Sequence, residues 1–511
     1  MENYDIAYEI LNYNTYQKRL KDLFDNENVK NPVAKHMPIG YSSCGFSIDH
    51  YSIGNGPMHI VYLAGAHGNE IIGVDYVTQL MKNIAEGKGE FANFNPELFT
   101  IDFIPCQNPE GFYTTTYALN SIMKNMSSKE IEHFSKDYYM SYRQDDINVR
   151  DINYILKEFC NEYGLNIEKE LITLFWQSCA NENKSVDQIT KFLKKYFYVD
   201  SHTIKEFVSK KWADKFPDKE SISAEKLHHA MLKDVSLDCI PEIDEAHKNL
   251  KAKLVKMYSL NGFPKGTLAN FFPNADGVNL NDNNEYYYKE LKERMYIEGS
   301  VYANQRDNNI RKDIPSPVGM PSKDMELPFE YTNENKALLE FIARQDAKEE
   351  HYAFVNCHGT GGIFYLYPVA ENDLEKAHSE GVTRDFTFFI NNRIASEYTK
   401  ETGRVYEALN GKKEPYGMVG HPDRITGIGD LLRKEYPSSF LLELSKMGGN
   451  PIGPYGDIKR NYIPTMVSNM NATMSMLNTI LELKHLYNTS YSISYTDTGR
   501  VVYGEGPRKR R

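Results

Sequence analysis

The sequence predicts an α/β fold, one sheet domain interrupted by a large helical insertion, and three observations carry that reading. Residues 58–64 form a near-continuous apolar run ending at Gly65, the pattern of a central strand buried on both faces. A helical pattern over residues 70–84 and a second apolar strand over 99–105 follow it, and this spacing reads as a βαβ unit. From about Ser127 to Leu260 the rhythm stops, and Lys, Glu, Asn and aromatic residues recur at helical spacing.

The remaining elements fall around this frame. Residues 4–25 place Ile6, Ile10, Leu11, Tyr16, Leu20 and Leu23 at roughly helical intervals, and residues 46–53 alternate loosely, as an outer strand does. Inside the insertion, Ile152, Ile155, Leu156 and Phe159 mark one helix face, and Leu171, Ile172, Leu174 and Phe175 supply a facing side. The α/β rhythm returns at residues 352–356, with a helix near 385–398 and a strand over 438–443. A long amphipathic helix, about 462–486, precedes a Tyr/Ser-rich tail. The expected division is therefore 1–126 and 266–487 for the two parts of the sheet domain, 127–265 for the insertion and 488–511 for the tail.

Composition excludes several classes. With 511 residues, 41% hydrophobic and 25% charged, the chain has ample material for a core and is not a disordered or disulfide-stapled polypeptide. Lys and Arg total 59 against 70 Asp and Glu, a net charge of −11, which lacks the overall field of a nucleic-acid binder. The basic run at 508–511 reads as a solvated end. Six scattered cysteines with no CxxC read as reduced thiols. No secretory pattern opens the sequence and no 18-residue apolar run occurs, so a cytoplasmic protein without membrane or nucleic-acid partners is expected.

Three strand ends carry the chemistry. Gly65-Ala66-His67-Gly68-Asn69-Glu70 stands where an apolar strand runs out and a helix begins, where open α/β sheets bind ligands. His67 and Glu70 are three apart, so one helical turn brings imidazole and carboxylate to one side. One further nitrogen would complete the His₂Glu shell of a catalytic zinc, with a position left for water; an ordinary polar strand-to-helix loop is the plain alternative. His358 ends the run Phe354-Val355-Asn356-Cys357 and is followed by glycine. Glu443 ends Phe440-Leu441-Leu442, where burying an unpaired carboxylate is costly unless it meets a metal site or an ion pair.

Together these residues resemble the zinc metallocarboxypeptidase family. Its HxxE is matched by His67 and Glu70, its later zinc histidine by His358 and its general-base glutamate by Glu443. Asn108-Pro109-Glu110-Gly111 is similar to the family's NPDG turn, and Gly277-Val278-Asn279-Leu280-Asn281 to its GVDLNR segment. The resemblance implies a mixed central sheet flanked by helices, Zn2+ as cofactor and a peptide or small peptide-like substrate. It leaves the helical insertion unmatched. Related deacylases share the HGNE type of motif, so a small-molecule deacylase or amidohydrolase is the alternative enzyme reading. A non-catalytic binding protein derived from the same fold is the third.

The departures are specific. Where the family's Asp orients the first zinc histidine this chain has Asn279, which can accept the same bond but brings no charge. Where the family's Arg clamps the substrate's terminal carboxylate it has Asp282. Asn281 is then expected to anchor the substrate end, with Tyr416 in the place of the family's mobile tyrosine. No Arg occurs between Gly111 and Tyr142, so Arg143, Arg150 or Arg424 would have to polarise the carbonyl.

Overall fold

The computed structural model describes the chain apart from residues 1–3, 8, 27–28, 180–182, 223–234, 262–264, 282, 284–329, 346–349, 360–363, 367–382, 386, 403–406, 409–435, 437, 446–450, 457, 488, 496–500 and 508–511. Eight strands make the main sheet: β1 (Val33–Lys35), β2 (Tyr51–Ile53), β3 (Met58–Ala64), β4 (Phe99–Ile104), β5 (Glu350–His358), β6 (Phe364–Leu366), β7 (Glu407–Ala408) and β8 (Ser438–Glu443). Their spatial order is β1-β2-β4-β3-β5-β8-β6-β7. The inner four, β4-β3-β5-β8, are mutually parallel, while β1, β2 and β6 bring antiparallel pairings to the flanks. The sheet is thus mixed, as expected.

Helices cover both faces. They are α1 (Tyr13–Asp25), α2 (Ile71–Glu86), α3 (Pro109–Met123), α4 (Ser128–Glu162), α5 (Glu168–Cys179), α6 (Val186–Tyr196), α7 (Ser201–Lys215), α8 (Glu245–Asn261), α9 (Asn333–Arg344), α10 (Thr387–Thr402) and α11 (Ile463–Leu483). Strand β3 shows why its run is apolar from Ile60 to Ala64. Ile60, Tyr62 and Ala64 join the main core with residues of α2 and α11, while Val61 and Leu63 pack with Ala337, Leu338, Phe341 and Ile342 of α9. Alternating side chains face opposite layers, and both layers are buried. Burying each large side chain contributes roughly 1.5–3 kcal/mol.

The helical region has a core of its own, built by Ile152, Ile155, Leu156 and Phe159 of α4, Leu171 and Phe175 of α5, and residues of α6 and α7. The face read from residues 152–159 is the one that packs. By contrast Val235, Ile240, Leu250 and Leu254 pack into the main core, and α8 is tied to it by Asn249 Nδ2 donating to the Cys44 carbonyl at 3.2 Å.

Several boundaries differ from the sequence reading. Residues 4–25 are helical only from Tyr13, because Asn12 caps the helix: its side chain accepts from the Asn14 and Thr15 amides and Thr15 closes a capping box. The outer strand of residues 46–53 is split into Ser47–Ile48, paired with Gly40–Tyr41, and Tyr51–Ile53, paired with β1 and β4. Between them His50 turns inward to Asp102 Oδ1 at 2.8 Å. Strand β5 runs from 350 through His358, longer than 352–356 at both ends. The Tyr/Ser-rich end holds two paired strands, Thr489–Tyr495 and Val501–Pro507, which form a separate three-stranded sheet with Thr383–Asp385.

Candidate metal centre

The three parallel strands β3, β5 and β8 end together. Ala64 is registered with Cys357, and His358 with Glu443, so the turn after β3 and the last residues of β5 and β8 meet beyond the carboxyl edge of the sheet. His67 lies in that turn and Glu70 at the cap position of α2. Their donor atoms converge with His358. His67 Nδ1 is 3.1 Å from Glu70 Oε1, His358 Nδ1 is 2.8 Å from Glu70 Oε2, and the two Nδ1 atoms are 3.2 Å apart. No other group of three such residues gathers in this way among the described residues.

These separations can be tested against a metal. Four donors about 2.0–2.1 Å from a tetrahedral zinc lie roughly 3.3 Å from one another. The observed distances of 2.8–3.2 Å fit that shell. The side chains are nearly enclosed, His358 being 1% exposed and Glu70 9%. Burial pushes the Glu70 carboxyl up, but the His67 and His358 imidazoles outweigh it and hold it well below the usual carboxylate range.

A surrounding layer fixes the donors. Asn279 Oδ1 lies 3.1 Å from His67 Nε2 and also accepts the Asn281 amide at 3.0 Å. The second bond establishes this atom as the amide oxygen, so His67 must donate from Nε2, and its Nδ1 keeps a lone pair for a metal. Asn279 thus makes the bond expected at this position, without charge. Asn281 is partly exposed beside it and meets Asn356 Nδ2 at a long 3.5 Å. Glu443 is half-buried. Residues in register on neighbouring parallel strands share a sheet face, so Glu443 stands one strand spacing, about 4.8 Å, from His358 on its side. Cys106 and Cys357 are buried in the main core.

Backbone packing explains two glycines of the motifs. A Cβ at Gly68 would lie 2.3 Å from the Gly111 carbonyl carbon and 2.6 Å from the Phe271 oxygen, and one at Gly111 would lie 2.6 Å from the Pro273 oxygen. The HGNE turn, the NPEG turn and residues 271–273 therefore touch through their main chains, which only glycine permits. Asn108 caps α3 by accepting the Gly111 amide at 2.8 Å. Glu110 is fully buried and accepts from the Cys44 amide at 2.6 Å and the Ala275 amide at 2.8 Å.

Two contributors carry no signal in the sequence reading. Phe272 stacks on the His67 ring, with centroids 3.9 Å apart at 26°. Glu334, in the first turn of α9, is buried against Asn274 Nδ2, with both carboxyl oxygens at 3.4 Å. Burial, with the Glu110 charge as second cause, pushes Glu334 up to about 8. An acid raised on folding binds its proton more tightly in the native state. Its contribution to stability is full below the unfolded value of 4.5 and is lost as pH rises through about 8. Glu334→Gln is expected to remove that loss. Thermal scans should show the variant melting above wild type at about pH 9 and the two curves converging near about pH 5.

Of the other expected site residues, Asp282, Tyr416 and Arg424 lie outside the described residues. Arg143 and Arg150 are on α4, but their side chains are also outside the description.

A mixed α/β sheet with two imidazoles and a carboxylate converging beyond its parallel strand ends defines a candidate metal-site protein. Residues 27–236, which hold His67, Glu70 and the NPEG turn, match the family model described as Peptidase_M14, zinc carboxypeptidase. The family is zinc-dependent. Among solved structures the fold is similar to bovine thrombin-activatable fibrinolysis inhibitor in complex with tick carboxypeptidase inhibitor. The identity is 10% and the TM-score 0.43, with 93% of this chain and 98% of that chain covered. It is also similar to carboxypeptidase A from Helicoverpa armigera, at 9% identity and TM-score 0.40, covering 92% and 73%. A metallo-carboxypeptidase from Burkholderia cenocepacia matches at 9% identity and TM-score 0.39, covering 93% and 71%. No curated protein matches. Among the described residues no helix is long and apolar enough to cross a membrane.

Proposed function

We propose that the protein is a zinc-dependent hydrolase of the metallocarboxypeptidase type that cleaves an amide or peptide bond near a terminus of a small peptide or peptide-like substrate. The observation that carries this reading is the convergence of His67, Glu70 and His358, with Glu443 registered beside His358. Zinc held by these three side chains would supply a Lewis acid toward the scissile carbonyl and the attacking water. Glu443 takes the proton of that water on a carboxylate oxygen and passes it to the leaving amine nitrogen. Asn279 keeps His67 in the tautomer whose Nδ1 can ligate. Cytoplasmic action fits the free thiols of Cys44, Cys106, Cys239 and Cys357.

Asn281 anchors the substrate end in this proposal, and Asp282 sets its charge preference, with Tyr416 and Arg424 completing the pocket. Gly111 and Gly277 lie 166 positions apart, far beyond a median loop of about 4–6 residues. The intervening helical block, continuing from the α3 helix that NPEG opens, is proposed to narrow the mouth and favour short substrates.

A defined peptide mixture with free, amidated and basic C-termini, read by mass spectrometry, tests the reading. At about 4 Å and an effective dielectric near 20, like charges repel by roughly 4 kcal/mol, so Asp282 should disfavour a bare carboxylate by orders of magnitude. The expected result is zinc-dependent loss of terminal groups from short peptides with neutral or cationic ends, and a gain on free carboxylates in Asp282→Arg. A wild type that prefers free carboxylates and is unchanged in Asp282→Asn would overturn the charge preference. No hydrolysis by a zinc-loaded chain would leave the non-catalytic reading.

A further inference from the structure

We infer that Phe272 is a positioning residue for His67, holding the imidazole at the tilt that aims Nδ1 at the Glu70 and His358 donors; the inference rests on the metal reading above. Each side of the His67 ring has an assigned neighbour. Its Nδ1 edge faces Glu70 and His358, its Nε2 edge faces Asn279 Oδ1, one face is covered by Phe272, and the His358 ring approaches at 4.6 Å and 61°. The hydrogen bond to Asn279 fixes which nitrogen carries the proton but allows the ring to pivot about it. A stacked ring at 26° removes that pivot, because leaving coplanarity forfeits the contact.

Phe272 can act this way because its own main chain is held. The Gly68 amide donates to the Phe272 carbonyl at 2.9 Å, so the residue that carries the stacked ring is tied to the residue next to His67. On one side Thr115 Oγ1 receives the Phe271 amide at 3.1 Å. On the other, Asn274 closes a tight turn: its side chain accepts the Asp276 and Val278 amides at 3.1 and 3.0 Å, and its amide donates to the Val278 carbonyl at 3.0 Å. The buried carboxylic groups of Glu334 and Glu110 brace that turn at Asn274 and Ala275. Residues 271–281 thus present Phe272 and Asn279 to two sides of one imidazole, and the rigidity of the segment reaches the metal donors through them. A ring that is itself partly exposed has little of the main core to support, so its main role is at His67.

The full-length protein with Phe272→Leu and Phe272→Tyr tests this, using zinc itself as probe in chelator competition. Phe272→Leu keeps apolar bulk but loses the flat face. It is expected to weaken zinc binding roughly 3–10-fold, while Phe272→Tyr stays within about twofold of wild type. Melting temperatures of the metal-free forms should be close. Independently of metal, histidine-labelled NMR spectra of the zinc-free protein should show an upfield-shifted His67 ring signal that returns toward the ordinary position in Phe272→Leu. Unchanged zinc affinity in Phe272→Leu, with wild type binding zinc, would overturn the positioning role and leave the metal reading intact. Failure of wild type to bind zinc would overturn the metal reading. The His67 shift then still reports on the stacking, which is refuted if Phe272→Leu leaves that signal in place.

Discussion

Glu443→Gln is expected to bind about one zinc per chain, as is expected of wild type, and to lose wild-type turnover by roughly 10²–10⁴-fold or more. The substitution keeps the size and the hydrogen-bonding reach of the side chain but removes its ability to take a proton at neutral pH. Strand register rather than loop conformation places Glu443 for this proposed role. It pairs with His358 at the last rung of β8 and β5, and the Leu444 amide closes the rung on the His358 carbonyl at 3.0 Å. Ser438 to Leu442 are buried, which anchors the strand beneath a terminal carboxylate that is only half-buried. A base at the end of a rigid strand needs no reorganisation to reach a water at the site. Metal analysis and steady-state kinetics on the same preparation separate the two roles: lost metal would make Glu443 a ligand, and retained turnover would assign the base elsewhere.

His67→Ala and His358→Ala should each weaken zinc binding on the order of a hundredfold or more, because each deletes one of three protein donors. Equilibrium dialysis followed by metal analysis measures this directly. The two variants should differ in stability. His358 is 1% exposed at the end of a central strand, and its truncation leaves a buried void next to Glu70. His67 lies in a turn, and its loss leaves the Asn279 oxygen bound to the Asn281 amide and the Phe272 face bare. His358→Ala is therefore expected to melt lower than His67→Ala. Equal zinc binding in either variant would remove that residue from the shell.

Much of this was legible because buried parallel strands write a plain pattern. The runs 60–64 and 440–442 are apolar throughout, since helices cover both faces of the central sheet, and the polar residues that end such runs stand out. The convergence of His67, Glu70 and His358 follows from β3 and β5 ending at one edge, with Glu443 on the neighbouring end of β8. What stayed hidden depends on contacts across hundreds of positions. Phe272 reads as one more aromatic residue, and its stacking on His67 exists only because Gly68 and Gly111 let three main chains meet. Glu334 looks like an acidic residue in a helical first turn, yet the fold buries it against Asn274. Asp75 likewise sits on an amphipathic helix but is fully buried, accepting from Tyr455 at 2.6 Å and Tyr462 at 2.7 Å and pairing with Arg19. The start of α1 is hidden for a local reason: apolar spacing continues upstream, but Asn12 offers the backbone a cap and the helix begins after it.

The most direct test of the central claim is zinc-dependent peptide hydrolysis measured on one preparation of the full chain before chelation, after chelation and after zinc is restored, with Glu443→Gln alongside. The account predicts removal of terminal groups from short peptides, loss of that activity on chelation, recovery at about one zinc per chain, and a zinc-loaded Glu443→Gln that stays inactive. Full activity in the chelated protein, or in Glu443→Gln, would contradict it.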